Sequence, residues 1–277
     1  MTAALLAFLF ADAMLDGAKV HYQSLGKGDT AVVFIHGWTC DGTFWRLQTP
    51  AVAPRRRALL VDLPGHGQSG KPRVAYTMPL MARGVEAAMR DAGVKRAVLV
   101  GHSMGVPVAR QVIRMFPGKV IGFVAVDGRF PKKPGDPAEL AKHEKGFADF
   151  TARFRGPDYK ENLLKSVEFM LGPAAPAPLR EEIKTKMSAT PQHVMVSAME
   201  GMADWTYGDP SPIRVPVLAV FARGSGIKPE EEKFAASFIP KLEWVVWDGV
   251  GHFLMMEKPE EFNRLLNGFL DTVSWTK

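Results

Sequence analysis

Apolar and polar residues fall in blocks along most of this chain. Short, nearly uninterrupted apolar runs occupy residues 31–35, 58–61, 97–100, 120–126, 215–221 and 242–247. Such runs fit strands covered on both faces, because a strand with one wet face would alternate. Stretches of helical periodicity follow several of them, at residues 76–92, 106–116 and 257–271. Strands alternating with helices predict a mostly parallel central sheet, flanked by helices and joined by right-handed crossovers. Residues 19–24 predict a further strand, and Asp16-Gly17 between two apolar runs predicts a hairpin turn.

The alternation breaks between Phe130 and Pro212. Prolines cluster at Pro131, Pro134 and Pro137, at Pro173, Pro176 and Pro178, and at Pro210, Pro212 and Pro216. Between these clusters apolar residues recur at three and four positions, as in Phe147, Phe150 and Phe154 or Val194, Met195, Ala198, Met199 and Met202. This pattern predicts a helical cap over residues 131–211, inserted into an α/β core formed by residues 1–130 and 212–277. The Met and Phe stripes serve packing first, although one face of a cap commonly lines a cavity.

The chain has 277 residues, of which 47% are hydrophobic and 23% charged, so a sizeable core can form. The net charge is +6, but the basic runs Arg55-Arg56-Arg57 and Lys132-Lys133 are short and lack interleaved aromatics. They read as solvated surface rather than a nucleic-acid face. A single cysteine, Cys40, excludes an intrachain disulfide and reads as structural. Residues 3–10 are apolar, too short to span a bilayer, and followed by Ala11-Asp12-Ala13 with signal-peptidase spacing. They read as the remnant of a trimmed leader or as an N-terminal helix. The compartment, cytoplasmic or exported, stays open, and stable membrane insertion is not expected. No metal-ligand spacing occurs, and no G-x-G-x-x-G follows a strand, so no cofactor is indicated.

The strongest chemical signal is Gly101-His102-Ser103-Met104-Gly105, after an apolar run and before a helical one. A nucleophile at a sharp strand-to-helix turn projects its hydroxyl, and Cβ atoms at 101 and 105 would crowd that turn. Serine needs a base, and His252 in Gly251-His252-Phe253, after the last apolar run, is the best placed of the histidines. An oxyanion hole needs two N–H donors: Met104 after the nucleophile, and Trp38 in the loop His36-Gly37-Trp38. Gly37, Trp38 and His102, which border these turns, are assigned to the substrate-binding surface. Asp62 and the turn Gly65-His66-Gly67 are expected to shape a loop, without chemistry.

His36-Gly37-Trp38, Asp62-Leu63-Pro64-Gly65-His66-Gly67, Gly101-His102-Ser103-Met104-Gly105 and Gly251-His252-Phe253 occur in this order. The set resembles the α/β-hydrolase superfamily, in its capped serine esterase-like branch, from about Lys19 to the C terminus. The resemblance implies an α/β-hydrolase fold and a serine hydrolase acting on small to medium apolar esters. It also admits an acyltransferase or perhydrolase, a lactone or carbon–carbon hydrolase, or a ligand-binding member without catalysis. Many relatives carry the triad acid in the loop that here reads Ala222-Arg223-Gly224-Ser225-Gly226, which has no carboxylate. Others place it one strand earlier, where Asp127 stands, and Asp127 is therefore assigned. Glu230, Asp248 and a Ser–His dyad without an acid remain the alternatives.

Overall fold

The computed structural model describes residues 9–173, 175–205 and 210–275. Eight strands form one sheet: β1 (Leu9–Leu15), β2 (Ala18–Leu25), β3 (Thr30–Ile35), β4 (Arg57–Val61), β5 (Arg96–His102), β6 (Val120–Val126), β7 (Val217–Ala222) and β8 (Leu242–Trp247). Their spatial order is β1-β2-β4-β3-β5-β6-β7-β8. β1 and β2 pair antiparallel across the predicted hairpin, where Asp16 and Gly17 both take positive φ, as a type I′ turn requires. β2 also runs antiparallel to β4, while β4, β3, β5, β6, β7 and β8 are mutually parallel. The apolar runs became the interior: Phe34, Phe123 and Phe221 are fully buried. Each contributes about 1.5–3 kcal/mol through apolar area removed from water.

The helices are α1 (Thr49–Val52), α2 (Met78–Asp91), α3 (Gly105–Met115), α4 (Pro137–Ala152), α5 (Tyr159–Met170), α6 (Ala177–Ser188), α7 (Gln192–Met202), α8 (Pro229–Ala236), α9 (Leu254–Glu257) and α10 (Pro259–Thr272). α2 packs on α3 and on the β1–β2 hairpin, and α10 packs on α1. Thr77 caps α2 by accepting the Leu80 N–H, and Asp136 caps α4 by accepting from Ala138 and Glu139. α4 to α7 intervene between β6 and β7, in the proline-bounded segment.

Some local expectations need correction. The helix expected over residues 257–271 is α10, which starts two residues later because Pro259 ends the short α9 and occupies the first turn of α10. Of the apolar stretch at residues 3–10, residues 3–8 lie outside the described residues. Leu9 and Phe10 begin β1, and Ala11-Asp12-Ala13 is paired within it rather than free. No helix among the described residues is long and apolar enough to cross a membrane.

Because β3 to β8 run parallel, the residues following each strand emerge at one edge of the sheet. That edge receives His36 after β3, Asp62 after β4, Ser103 after β5, Asp127 after β6 and the His252 loop after β8. The register sets Gly101 beside Ala125 and His102 beside Val126, so the turn carrying Ser103 starts level with Asp127.

Candidate active site

Ser103 sits between β5 and α3 with φ of 52°, a left-handed conformation strained for any residue but glycine. Its N–H donates to the Val126 carbonyl (2.9 Å), and its own carbonyl accepts from Val106 N–H (2.9 Å). A Cβ at 101 would stand 2.5 Å from the Gly105 carbonyl, and one at 105 only 2.4 Å from the Ile35 carbonyl. Both glycines are thus required for the turn to close.

Asp127 follows β6 with φ of 45°, and its side chain is fully buried. One carboxylate oxygen, Oδ1, accepts the Ala222 N–H at 2.8 Å. The other, Oδ2, accepts the Ser225 hydroxyl at 2.5 Å and His252 Nδ1 at 2.6 Å. Burial pushes this carboxyl up, but His252, then Ser225 and Ala222, outweigh it and hold it below the usual carboxylate range. An ionised carboxylate has no proton to give, so Nδ1 of His252 carries the hydrogen and Nε2 keeps its lone pair. The alternative acids lie elsewhere. Asp248 is exposed and pairs with Arg223, and Glu230 is exposed in the first turn of α8.

The structure brings Asp127 and His252 into direct contact and carries Ser103 to the same sheet edge. Among the described residues, Ser103 and His252 share no hydrogen bond. The His102 and His252 rings lie 4.7 Å apart, and His102 Nε2 donates to the His252 carbonyl at 2.9 Å.

That last bond corrects one expectation. His102 is 1% exposed and props the histidine loop from below, so it does not face substrate. Burial, then the neighbouring His252 charge, pushes its imidazole down to about 3, so it stays neutral. The Trp38 ring is likewise withdrawn: Nε1 donates to the Met195 carbonyl (2.8 Å), and the ring meets Phe154 edge-on at 5.0 Å. It anchors the inserted helices instead of walling an acyl pocket. Gly37 stays against the turn that carries Ser103, where a Cβ would sit 3.2 Å from that of Ser103. Among the described residues, the N–H groups of Trp38 and Met104 have no protein acceptor.

The remaining polar groups are supporting. His36 donates from Nδ1 to the Gly37 carbonyl (2.8 Å) and accepts the Leu63 N–H at Nε2 (3.0 Å). Asp62 receives the N–H groups of Gly42 and Gln68, each at 2.7 Å, and so ties two loops together. Burial pushes the Cys40 thiol far up, which leaves it inert. Among the described residues no cluster of His, Cys, Asp or Glu could hold a metal ion.

The inserted helices are tied to the histidine loop by main-chain bonds. His252 N–H donates to the Met170 carbonyl at 2.7 Å. Glu257 accepts Gly172 N–H at Oε1 (3.1 Å) and Gly251 N–H at Oε2 (2.9 Å). The two backbones approach so closely that a Cβ at 251 would lie 2.1 Å from Gly172 N. Beside this crossing a cleft of about 440 Å³ is lined by Asp127, Phe150, Phe169, Met170, Leu171 and His252, among others. Ser225 and Glu257 escaped the sequence reading. A serine in a glycine-rich turn and a glutamate at a helix end carry no local signature.

The sequence profile of the alpha/beta hydrolase family matches residues 32–265. A dihydrolipoyllysine-residue acetyltransferase component of the acetoin cleaving system from Cupriavidus necator is 29% identical, over 95% of this chain and 69% of its own length. A 2-hydroxy-6-oxononadienedioate/2-hydroxy-6-oxononatrienedioate hydrolase from a Pseudomonas species is 25% identical, over 91% of this chain and 92% of its own. Among solved structures, an N-acyl homoserine lactone degrading enzyme superposes with a TM-score of 0.76. It is 29% identical and covers 94% of this chain and 100% of its own.

Proposed function

The chain belongs to the alpha/beta hydrolase family, and we propose that it is a serine hydrolase cleaving carboxylic esters of small to medium apolar substrates. The observation that carries this reading is the contact of Asp127 Oδ2 with His252 Nδ1 at 2.6 Å. It presets the tautomer in which Nε2 can accept a proton.

Ser103 Oγ attacks the ester carbonyl while His252 Nε2 takes its proton. This transfer needs the imidazole to close on the hydroxyl, a bond that commonly tightens only with substrate in place. The N–H groups of Trp38 and Met104, which have no protein acceptor among the described residues, hold the developing oxyanion. Asp127 stabilises the imidazolium. His252 then protonates the departing alcohol, and a water molecule releases the acyl group by the same steps in reverse. The inserted helices serve as the cap, with Phe150, Phe169, Met170 and Leu171 offering an apolar wall. A lactone is an internal ester and needs no other chemistry. The 29% identity to a lactone-degrading enzyme favours including lactones among the substrates.

A p-nitrophenyl ester panel of graded chain length tests this on the wild type and on Ser103→Ala, Asp127→Asn, Glu230→Gln and Asp248→Asn. Ser103→Ala should abolish turnover, and Asp127→Asn should cost far more than either other acid change. Full activity in Ser103→Ala would sink the mechanism. A loss at Glu230→Gln matching that at Asp127→Asn would sink the acid assignment.

A further inference from the structure

The Asp127 carboxylate is held by a group that the proposed mechanism leaves unused. Ser225 closes the short helical turn Arg223–Ser225 after β7, and Gly226, with φ of 68°, ends it. The turn is clamped from the β6 side. Arg129 Nη1 donates to the Ser225 carbonyl at 3.0 Å, while the same guanidinium grips Glu231 of α8. So fixed, the Ser225 hydroxyl donates to Asp127 Oδ2, the very oxygen that receives His252 Nδ1. A carboxylate oxygen can accept both bonds, but they share one pool of negative charge.

We infer that Ser225 is a positioning residue that fixes the Asp127 carboxylate and sets how much of its charge reaches the His252 imidazole. This rests on the proposed role of His252 as base. With the hydroxyl present, part of the charge on Oδ2 is spent on an O–H donor. Without it, that charge faces the imidazole alone, and the imidazolium is better stabilised. The proton on His252 is then held to higher pH. Other charged groups around His252 leave this conclusion intact. His102 lies beneath it, neutral and bonded to its carbonyl. Glu257 at the end of α9 is spent on two backbone N–H groups. Arg129 and Glu231 neutralise each other, as do Arg223 and Asp248.

The test compares wild type with Ser225→Ala and Ser225→Thr, each with and without Asp127→Asn. Two quantities are read: the kcat/KM–pH profile on p-nitrophenyl acetate, and the low-field proton resonance of the hydrogen-bonded Nδ1–H. Ser225→Ala should move the acid limb to higher pH by about 0.5 pH unit. It should also move the Nδ1–H resonance downfield. Ser225→Thr, which keeps the hydroxyl, should match the wild type. In the Asp127→Asn background Ser225→Ala should have no further effect on the limb, because the residue acts through that carboxylate. A Ser225→Ala profile and resonance superimposing on those of the wild type would overturn the proposal. If the chain turns over no ester at all, the resonance still decides the matter, separately from the esterase reading.

Discussion

Helix α3, behind Ser103, buries its residues from Gly105 to Val112. Helix α4, which lends Phe150 to the cleft beside Asp127 and His252, keeps Thr151 inside and leaves most of its length half-buried or exposed. The strand-end side of the cleft is therefore built into the core, where any shift must move packed side chains. Helix α4 itself rests on few buried groups, so its surface can change without disturbing the sheet. Chemistry assigned to the first region should be intolerant of substitution, and selectivity assigned to the second should be adjustable.

Five measurements would break or sharpen that contrast. The largest effect is expected at Asp127→Asn, where kcat for ester hydrolysis should fall by about 10⁴-fold with the fold intact. A loss below tenfold would mean the strand ends do not hold the triad acid. Next, Phe123→Ala in β6 should cost about 3–5 kcal/mol in urea unfolding. Third comes pH. Burial holds His102 and His66 down to about 3, against an ordinary 6.5. Between those values the unfolded chain binds more protons than the folded one, so stability must fall as pH drops. By pH 5 the loss should reach up to about 2 kcal/mol for each. Denaturation midpoints unchanged between pH 7 and pH 5 would contradict it. Fourth, Phe169→Ala at the exposed lip of the cleft should raise KM for long acyl esters several-fold and leave kcat alone. Finally, Leu164→Ala on the half-exposed face of α5 should shift stability by no more than about 0.5 kcal/mol. A loss rivalling that of Phe123→Ala would show that the inserted helices are as tightly built as the sheet.

Much of the sheet was legible because both its faces are covered, and covered strands write themselves as unbroken apolar runs. The glycines around Ser103 were legible because backbone crowding leaves no other residue possible there. The roles of His102 and Trp38 were not. Each borders the site in sequence, but packing turns the His102 ring beneath the His252 loop and the Trp38 ring toward Met195. The pairing of Asp127 with His252, 125 positions apart, was assigned only through the family resemblance, and the Ser225 hydroxyl beside it left no mark in the sequence. Such contacts depend on where three separate strands end relative to one another, and only the register of the assembled sheet sets that.

The crossing of Gly172 over Gly251 gives the cleft an unusual mechanical property. With Met170 and Gly172 both pinned to the histidine loop, lifting this strap to admit a bulky guest would drag the imidazole off its carboxylate partner. On this flank, widening the cleft and keeping His252 on Asp127 oppose each other.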